Sequence, residues 1–401
     1  MPPRPGLRSR PARATVALAR RLMPVLGISR VTDITRLDRL GLPVAASVRP
    51  RGLTLRVHAG KGLHLDDARA GALMEAVEYA VAERASAGGA EYGATLAQWA
   101  AQLPHGLKAE DFAPRLDAVL APRRRIGLVR CEELGCRRSL LVPAELALMP
   151  DAYAAPAALF GASTNGLASG NTLEEATLHG LLEVLERDAR ALNAARDRSA
   201  RLANARLPPP FAAWAAAWRR AGIELIVRQL PNDFELPCFE AHLWEPASPD
   251  VNLAAGAGLH PDRGVALARA VSEAAQSRLS LIHGGRDDIT GFYAKYRRAD
   301  QSARHDAEQR LVAGLADVAA SVDFAAVPGF ECRPVRATLA WLRARLAERG
   351  FPCVLRHRMR PRGIDLLGFE VVKIVVPRCE SLLGAAVCMG PRLRARVLGR
   401  G

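Results

Sequence analysis

The sequence predicts an α/β fold of mixed layers, in which helices with acidic faces pack against sheets. Three observations support this fold class. Short runs of alternating or β-branched residues precede the most strongly helical segments. Glycine-rich connections separate the two kinds of segment, as in layered α/β domains. With 401 residues, of which 49% are hydrophobic, the chain has enough apolar residues for two packed lobes or one elaborated domain.

The elements are predicted in chain order from periodicity and from turn residues. Helices are assigned where apolar residues recur every three to four positions, and strands where they alternate. The predicted elements are strand, turn and strand over Ile28–Pro50, a third strand Leu53–His58 ending in a Gly60-Lys61-Gly62 corner, a helix Asp66–Arg84, a hairpin Leu128–Val142, a helix starting near Thr172, strands Leu225–Gln229 and Cys238–Trp244, a helix Arg263–Leu281, a mostly helical region 302–350 and a strand Phe369–Pro377.

The domain organisation follows from composition. Residues 1–28 contain six arginines, several prolines and no acidic residue, which indicates a basic, flexible N-terminal tail. Residues 29–380 form the main folded region, and 86–125, which are rich in Ala and Gly with weak periodicity, are expected to be a peripheral insertion within it. Residues 381–401 are expected to be a basic C-terminal tail.

Composition also excludes several classes of protein. The formal net charge is +15, but only four of the 56 basic residues are lysines and aromatic residues make up 5%, so nucleic acid is not expected as a partner. No apolar run is long enough for a membrane span, and Arg20 and Arg21 interrupt the one candidate for a secretory signal. The seven cysteines form no CxxC pair. We therefore expect a cytoplasmic protein without structural zinc.

The stretch Ser163–Asp188 organises the rest of the chain. Thr172 and Glu175 have the spacing of a capping box, so a helix is predicted to begin there after a glycine-rich loop. At about 100° per residue, Glu175, Glu183 and Glu186 fall within a sector of roughly 80°, next to a leucine stripe. The carboxylates therefore lie at the margin of the buried face, where partial desolvation and ligand contact are expected.

A second Glu-x-x-Glu pair changes the interpretation of the first. A single pair is usually a solvated acidic face, but Glu75 and Glu78 repeat the spacing of Glu183 and Glu186. So many carboxylates in a small volume need cations or protons between them, and oxygen ligands suit Mg2+. A di-iron bundle would need Glu-x-x-His, which neither pair contains. The candidate phosphate partners, each of which could equally be an ordinary ion-pair residue, are Lys61, Arg187, Arg278 and Arg286.

From about Ser29 to Pro377 the chain contains five motifs that resemble those of the YcaO family, and they occur in the same order along the chain as in that family. The glycine loop and acidic helix of residues 166–188 are the most specific of them. The others are Asp33-Ile-Thr-x-Leu-Asp-Arg-x-Gly-x-Pro-Val44, Gly60-Lys-Gly62, Leu73-Met-Glu-Ala-Val-Glu78 and Ser272-Glu-Ala-Ala-Gln-Ser-Arg278.

The resemblance implies that residues 29–380 are a catalytic domain that uses ATP and Mg2+ to phosphorylate the oxygen of a peptide backbone amide. It also implies a peptide or protein substrate and a homodimer. Glu183, Glu186 and Arg187 are the implied catalytic residues. The implied magnesium ligands are Glu75, Glu78, Glu175, Glu183 and Glu186, and the implied nucleotide contacts are Lys61, Asn171, Arg187, Gln276 and Arg286, with Glu273 a further residue of the same motif.

The departures from the family pattern bear on the product. The family usually has Ser, Arg and Gln where this chain has Gly71, Tyr79 and Ala59, and the Pro-x-Pro-x-Pro tail of azoline-forming members is missing. These features resemble stand-alone members that act with a TfuA-type partner and a sulfur donor to form thioamides. An azoline- or amidine-forming cyclodehydratase is the alternative enzyme. A non-catalytic nucleotide-binding scaffold is the third possibility.

Overall fold

The computed structural model describes residues 8–136, 138–149, 158–248, 253–289, 301–317, 321–331, 333–382 and 387–399. The chain forms two compact units. The first contains residues of Ala12–Ala76 and Arg198–Glu331, and the second contains residues of Leu7–Pro11, Val77–Asp197 and Cys332–Gly401. Each unit has its own sheets and its own core.

Fourteen strands lie in the described part of the chain, in three sheets. They are β1 Arg30–Asp33, β2 Val44–Val48, β3 Val57–Lys61, β4 Tyr92–Thr95, β5 Arg125–Glu133, β6 Ser139–Pro143, β7 Leu167–Gly170, β8 Ala200–Leu202, β9 Glu224–Gln229, β10 Cys238–Trp244, β11 Leu253–Leu259, β12 Ser321–Val322, β13 Leu355–Met359 and β14 Glu370–Val375. The first unit has a sheet β1-β2-β3 and a sheet β11-β10-β9-β8-β12. The second unit has a sheet β4-β5-β13-β14-β7, with β6 paired to β5. All pairs are antiparallel except β8 and β12.

The α-helices of the described residues pack on these sheets. They are α1 Ala12–Leu26, α2 Leu65–Ser86, α3 Leu96–Ala100, α4 Ala144–Ala147, α5 Leu173–Ala195, α6 Phe211–Arg220, α7 Arg263–His283, α8 Gln301–Ala316, α9 Val335–Glu348 and α10 Pro391–Val397. The predicted helices at Asp66–Arg84 and Arg263–Leu281 are confirmed by α2 and α7, and the predicted hairpin at Leu128–Val142 by β5 and β6.

Helix α5 begins where the capping residues predicted. The Thr172 side chain accepts a hydrogen bond from the Glu175 N–H at 3.2 Å, and Thr172 itself is extended. Leu181 and Leu185 are fully buried, as the apolar stripe required. The start of α5 and its buried face are therefore fixed by local sequence.

Strand β3 contains the Gly60-Lys61 pair that the sequence assigned to a corner. The predicted strand Leu53–His58 begins and ends too early, because Gly60 and Lys61 pair with Ala45 and Val44 of β2. A Cβ on Gly60 would lie 2.0 Å from the Ala68 carbonyl oxygen. Gly60 is required because α2 passes directly over this strand, and the absence of a side chain permits that approach.

Both predicted tails contain helices, so the expectation of tails is corrected for these segments. In the first unit, α1 covers much of the segment predicted to be a flexible tail, and it buries Val16, Ala19 and Leu22. Arginines on the exposed side of this amphipathic helix made the segment look wholly basic.

In the second unit, α10 lies within residues 381–401. The N–H groups of Gly390 and Leu393 donate to the buried carboxylate of Glu380 at 2.8 and 2.9 Å, and Arg392 pairs with the inaccessible Asp188. Burial raises the pKa of Asp188 to about 6, while the Arg392 charge opposes this shift. These distant partners are invisible in the local sequence.

Residues 86–125, expected to be a peripheral insertion, contribute the edge strand β4 and part of a core. Trp99 is 2% exposed, and its ring meets Phe112 and Phe160 edge-to-face at centroid distances of 5.2 and 5.8 Å. Its indole N–H donates to the Leu141 carbonyl at 2.9 Å. This segment is therefore part of the sheet and core of the second unit.

No helix among the described residues has the length and apolar character needed to cross a membrane. The cysteines at 131, 136, 238, 353, 379 and 388 are not joined in disulfide bonds.

We predict that Gly60→Ala lowers the stability of the first unit by about 3 kcal/mol, because the new methyl group overlaps backbone atoms of α2. Gly314→Ala is the matched control, since Gly314 is exposed in α8 with open space around its Cα. Alanine there is expected to be neutral or to stabilise by about 1 kcal/mol. Urea denaturation measures both variants, and equal midpoints would refute the close-packing role of Gly60.

Candidate active site

In the first unit, two predicted site residues, Glu75 and Gln276, meet at the outer edge of β3. The Ala59 N–H donates to Glu75 Oε2 at 2.8 Å, and Gln276 Nε2 donates to the Ala59 carbonyl at 3.0 Å. Strand β3 is an edge strand, so these backbone groups have no strand partner on this side. Side chains from α2 and α7 therefore complete the edge.

Lys61 and Glu273 form an ion pair beside this edge. Lys61 Nζ bonds to Glu273 Oε2, and the two side chains are 25% and 21% exposed. Glu273 Oε1 also accepts a hydrogen bond from the Ala257 N–H of β11 at 3.4 Å. The pair keeps the amine of Lys61 partly accessible and close to the Ala59 edge.

The surroundings of Glu75 raise the pKa of its carboxyl group. Burial is the largest effect and raises the pKa of Glu75, while the charges of Arg286 and Lys61 and the Ala59 N–H lower it. Arg286 forms a two-point pair with Asp288, with distances of 3.0 and 2.7 Å. An added cation would favour the ionised form of Glu75 over the protonated form.

Arg278, predicted as a candidate phosphate partner, is instead a buried structural residue. Its side chain is 4% exposed, and its Nε lies 2.8 Å from Asp38 Oδ2 while its Nη2 bonds to Glu245. The sequence left Arg278 open as a phosphate partner or an ordinary ion-pair residue, because both carboxylates come from distant parts of the chain, and these contacts match the second alternative. Asp38 and Arg278 belong to two of the motifs noted above, and their contact explains why both occur together.

In the second unit, Glu78 binds the edge strand β7 in the way that Glu75 binds β3. Glu78 Oε1 accepts hydrogen bonds from the Ser169 N–H at 2.9 Å and the Ser169 hydroxyl at 2.7 Å. Glu75 and Glu78 are three residues apart on α2, and the boundary between the units falls between them. The spacing of the motif thus provides one carboxylate to each unit.

Asn171 and Glu175 lie together at the start of α5. Both are 4% exposed, and Asn171 Nδ2 donates to Glu175 Oε1 at 2.8 Å. Glu175 Oε2 accepts from the Ser9 N–H at 2.9 Å and the Ser9 hydroxyl at 2.6 Å. Ser9 was not predicted as a contact, because no local signal links residue 9 to residue 175.

Glu183, Glu186 and Arg187 occupy the following turns of α5. Glu186 is 3% exposed, whereas the Glu183 and Arg187 side chains are 27% and 22% exposed. Glu183 Oε1 lies 3.9 Å from Arg187 Nε, which is a long ion pair. A carboxylate and a guanidinium are therefore both partly accessible on this face of the helix.

Lys373 is a charged residue of the second unit that sequence reasoning did not select. It lies in β14 and is 3% exposed, and its Nζ donates to the Ser163 carbonyl. Burial lowers the pKa of Lys373 to about 8, and the charge of Glu183 acts in the opposite direction. A lysine within a valine-rich strand, in a chain with four lysines, was the available signal.

The donor set fits a hard cation. Within the described ranges, no three carboxylate, histidine or cysteine side chains converge as a ready-made metal site. The predicted ligands are nevertheless oxygen donors, as Mg2+ prefers, and Glu175 and Glu186 are buried acids of the kind that a cation stabilises. A Cβ on Gly170 would lie 2.4 Å from the Ala176 N, so β7 runs closely against the first turn of α5.

Comparison with known proteins identifies the family. The model of the YcaO cyclodehydratase, ATP- and Mg2+-binding family matches residues 59–380. The chain belongs to the YcaO family. The YcaO fold and the cofactors ATP and Mg2+, all expected from the sequence, are those of this family of ATP-dependent cyclodehydratases.

Individual YcaO relatives agree in sequence and fold. A Rhizobium leguminosarum bv. trifolii protein described as lying in the tfuA 3' region is 35% identical over 72% of this chain and 70% of its own length. The structure of YcaO from Methanopyrus kandleri bound with AMPPCP and Mg2+ aligns with a TM-score of 0.74 at 23% identity, over 96% of each chain. A heterocyclase in complex with substrate and cofactor also aligns with a TM-score of 0.74, at 22% identity, over 98% of this chain and 56% of the heterocyclase chain.

We predict that Arg278→Met costs about 3 kcal/mol of stability in the first unit, because Asp38 and Glu245 lose a buried counter-charge. Arg206→Met is the control, since Arg206 pairs with Asp323 on the exposed surface, where loss of an ion pair is expected to have little effect on stability. Urea denaturation gives both values. If Arg278→Met has normal stability but has lost its affinity for ATP, Arg278 is a nucleotide contact and not a structural residue.

Proposed function

We propose that this YcaO protein uses ATP and Mg2+ to activate a backbone amide of a peptide or protein for conversion to a thioamide, together with a TfuA-type partner and a sulfur donor. The observation that carries the proposal is the complete set of five glutamates, held at strand edges and along α5. The relative from the tfuA 3' region supports this partner. A homodimer is proposed from the family resemblance alone.

In this proposal the carboxylates of α2 and α5 would hold the magnesium ions, and bound magnesium would supply positive charge to offset the negative charge of the triphosphate. Glu78 and Glu175 accept hydrogen bonds from N–H and hydroxyl donors, and carboxylate oxygens have further lone pairs for a cation. The proposed magnesium ligands are Glu75, Glu78, Glu175, Glu183 and Glu186.

Several nitrogen donors are proposed to contact the nucleotide. Lys61 and Arg187 have partly accessible cationic groups, which suits phosphate oxygens. Gln276 of α7 lies at the edge of β3 that Glu75 also contacts, and its amide donates a hydrogen bond to the Ala59 carbonyl. The full set of proposed nucleotide contacts is Lys61, Asn171, Arg187, Gln276 and Arg286.

The chemistry requires an amide oxygen to become a leaving group. Sulfide adds to the amide carbonyl carbon, and the resulting oxyanion takes the γ-phosphoryl group of ATP, releasing ADP. The carbon–oxygen bond then breaks, phosphate departs with its electron pair, and the C=S bond forms as the sulfur loses its proton. The protein's contribution is positioning and charge neutralisation, so none of its own cysteines needs to act as a nucleophile.

Cyclodehydration is the second candidate function. The family model is that of a cyclodehydratase, and the heterocyclase of the same fold was solved with its substrate. In that reaction a Cys, Ser or Thr side chain of the substrate replaces external sulfide as the nucleophile, and the activation by ATP is unchanged. The proposed active-site carboxylates therefore suit both reactions, and the two reactions are distinguished by identifying the product.

We predict that Glu183→Gln strongly weakens Mg2+-dependent ATP binding, because it removes a proposed direct ligand of the metal. Loss of an outer-shell partner of a metal costs about 10–100-fold in affinity, and the loss for Glu183→Gln is expected to be larger. Glu174→Gln is the matched control on the same helix, where Glu174 pairs with Arg336. Calorimetric titration measures affinity, and circular dichroism checks folding. Unchanged affinity in folded Glu183→Gln would remove Glu183 from the metal site. A folded wild type without ATP affinity would point to a degenerate scaffold or to a missing activating partner, and addition of the TfuA-type partner separates these two outcomes.

The product is predicted to be a thioamide. The purified protein, its TfuA-type partner, sulfide, ATP and a candidate peptide are incubated, and the peptide is analysed by mass spectrometry. Thioamidation adds the mass difference between sulfur and oxygen, whereas azoline formation removes one water. Water loss that does not require sulfide would establish the cyclodehydratase instead.

A further inference from the structure

The segment of residues 8–11 contacts one of the proposed magnesium ligands. It precedes α1 in the chain and belongs to the second unit, as Glu175 does. The Ser9 N–H and the Ser9 hydroxyl both donate to Glu175 Oε2, at 2.9 and 2.6 Å. The two residues are 166 positions apart, so the tertiary fold and not the local sequence brings them together.

These hydrogen bonds use lone pairs that a cation needs. A carboxylate oxygen has two lone pairs, and Glu175 Oε2 accepts two hydrogen bonds from Ser9. Glu175 Oε1 accepts a third from Asn171 Nδ2 at 2.8 Å. A lone pair remains on Oε1, whereas Oε2 becomes available to a cation only when Ser9 leaves.

Ser9 lies on the solvent side of this buried acid. Glu175 and Asn171 are each 4% exposed, whereas Ser9 is exposed. A ligand that arrives from solvent at Oε2 therefore meets Ser9 first. Departure costs Ser9 little, because an exposed N–H and an exposed hydroxyl exchange their bonds to the carboxylate for bonds to water.

We propose that the segment of residues 8–11 is an autoinhibitory plug that competes with Mg2+-bound ATP for Glu175. The inference rests on the proposed function, in which Glu175 is a magnesium ligand. Arg8 and Arg10 flank Ser9, so the segment brings positive charge to the acid, as a metal ion does. The apparent affinity for ATP is reduced by the fraction of molecules in which the segment is released.

The test weakens the plug without adding a charge. Ser9→Pro removes both hydrogen-bond donors, and Ser9→Ala removes only the hydroxyl. Ser139→Ala is the matched control, because it removes an exposed hydroxyl from β6 of the same unit. Calorimetric titration measures ATP binding in the presence of Mg2+, and circular dichroism checks folding. Hydrogen–deuterium exchange of a peptide that contains residues 8–11 is measured with and without Mg2+ and ATP.

We expect Ser9→Ala to bind ATP about threefold more tightly than wild type and Ser9→Pro about tenfold more tightly, because each lost bond raises the fraction of molecules with Glu175 Oε2 accessible. Ser139→Ala is expected to bind like wild type. In wild type, Mg2+ and ATP together are expected to accelerate exchange in the peptide that contains Ser9, because the Ser9 N–H then loses its acceptor.

The alternative results separate the plug from the proposed function. If wild type binds ATP and the two Ser9 variants bind equally well or more weakly, Ser9 is no plug, and the proposed function stands. If Ser9→Pro binds ATP and wild type does not, the plug is supported in its strongest form. If neither binds ATP, even with the TfuA-type partner present, the proposed function itself is overturned, and this inference with it.

Discussion

The structure depends on how it accommodates carboxylates that are partly or fully removed from water. In all three sheets an edge strand donates a backbone N–H to a helix glutamate: Ala59 to Glu75, Ala257 to Glu273, and Ser169 to Glu78. An edge strand has unpaired N–H groups, and a buried carboxylate needs donors, so each satisfies the other. The acidic helices therefore pack tightly on the sheets without burying uncompensated charge.

Two kinds of carboxylate can be distinguished by their partners. Asp38, Glu245 and Asp188 pair with arginines that are themselves buried or partly buried, and these pairs join distant segments of one unit. Glu75 and Glu78 accept hydrogen bonds from neutral N–H and hydroxyl donors of edge strands. A neutral donor fixes the position of a carboxylate without neutralising its charge.

This distinction links the fold to the family's chemistry. Magnesium-dependent phosphoryl transfer requires several carboxylates at fixed positions with their charge available, and cationic groups close by for the phosphates. Lys61 and Arg187 are the groups that we propose for the second role, because each lies beside a glutamate and keeps part of its surface accessible. The nucleophile that attacks the activated amide comes from the substrate or a donor, so the same site suits more than one product.

The sequence by itself determined the features that depend on neighbours within a few residues. The start of α5 follows from the Thr172 cap, its buried face from leucine spacing, and the glutamate pairs of α2 and α5 from a spacing of three residues. The order of these motifs was also sufficient to recognise the family. The helix cap and each glutamate pair are encoded by residues less than about two helical turns apart.

Only the tertiary structure decided the partners of the charged residues. The sequence left Arg278 open as a phosphate contact or an ion-pair residue, and the fold pairs it with Asp38 and Glu245. The sequence did not single out Lys373, and the fold places its ammonium against the Ser163 carbonyl. A guanidinium or ammonium pairs with whichever carboxylate or carbonyl the fold brings within a few ångströms, and that group can be hundreds of residues away along the chain. Helical periodicity is local, whereas compensation of a buried charge is not.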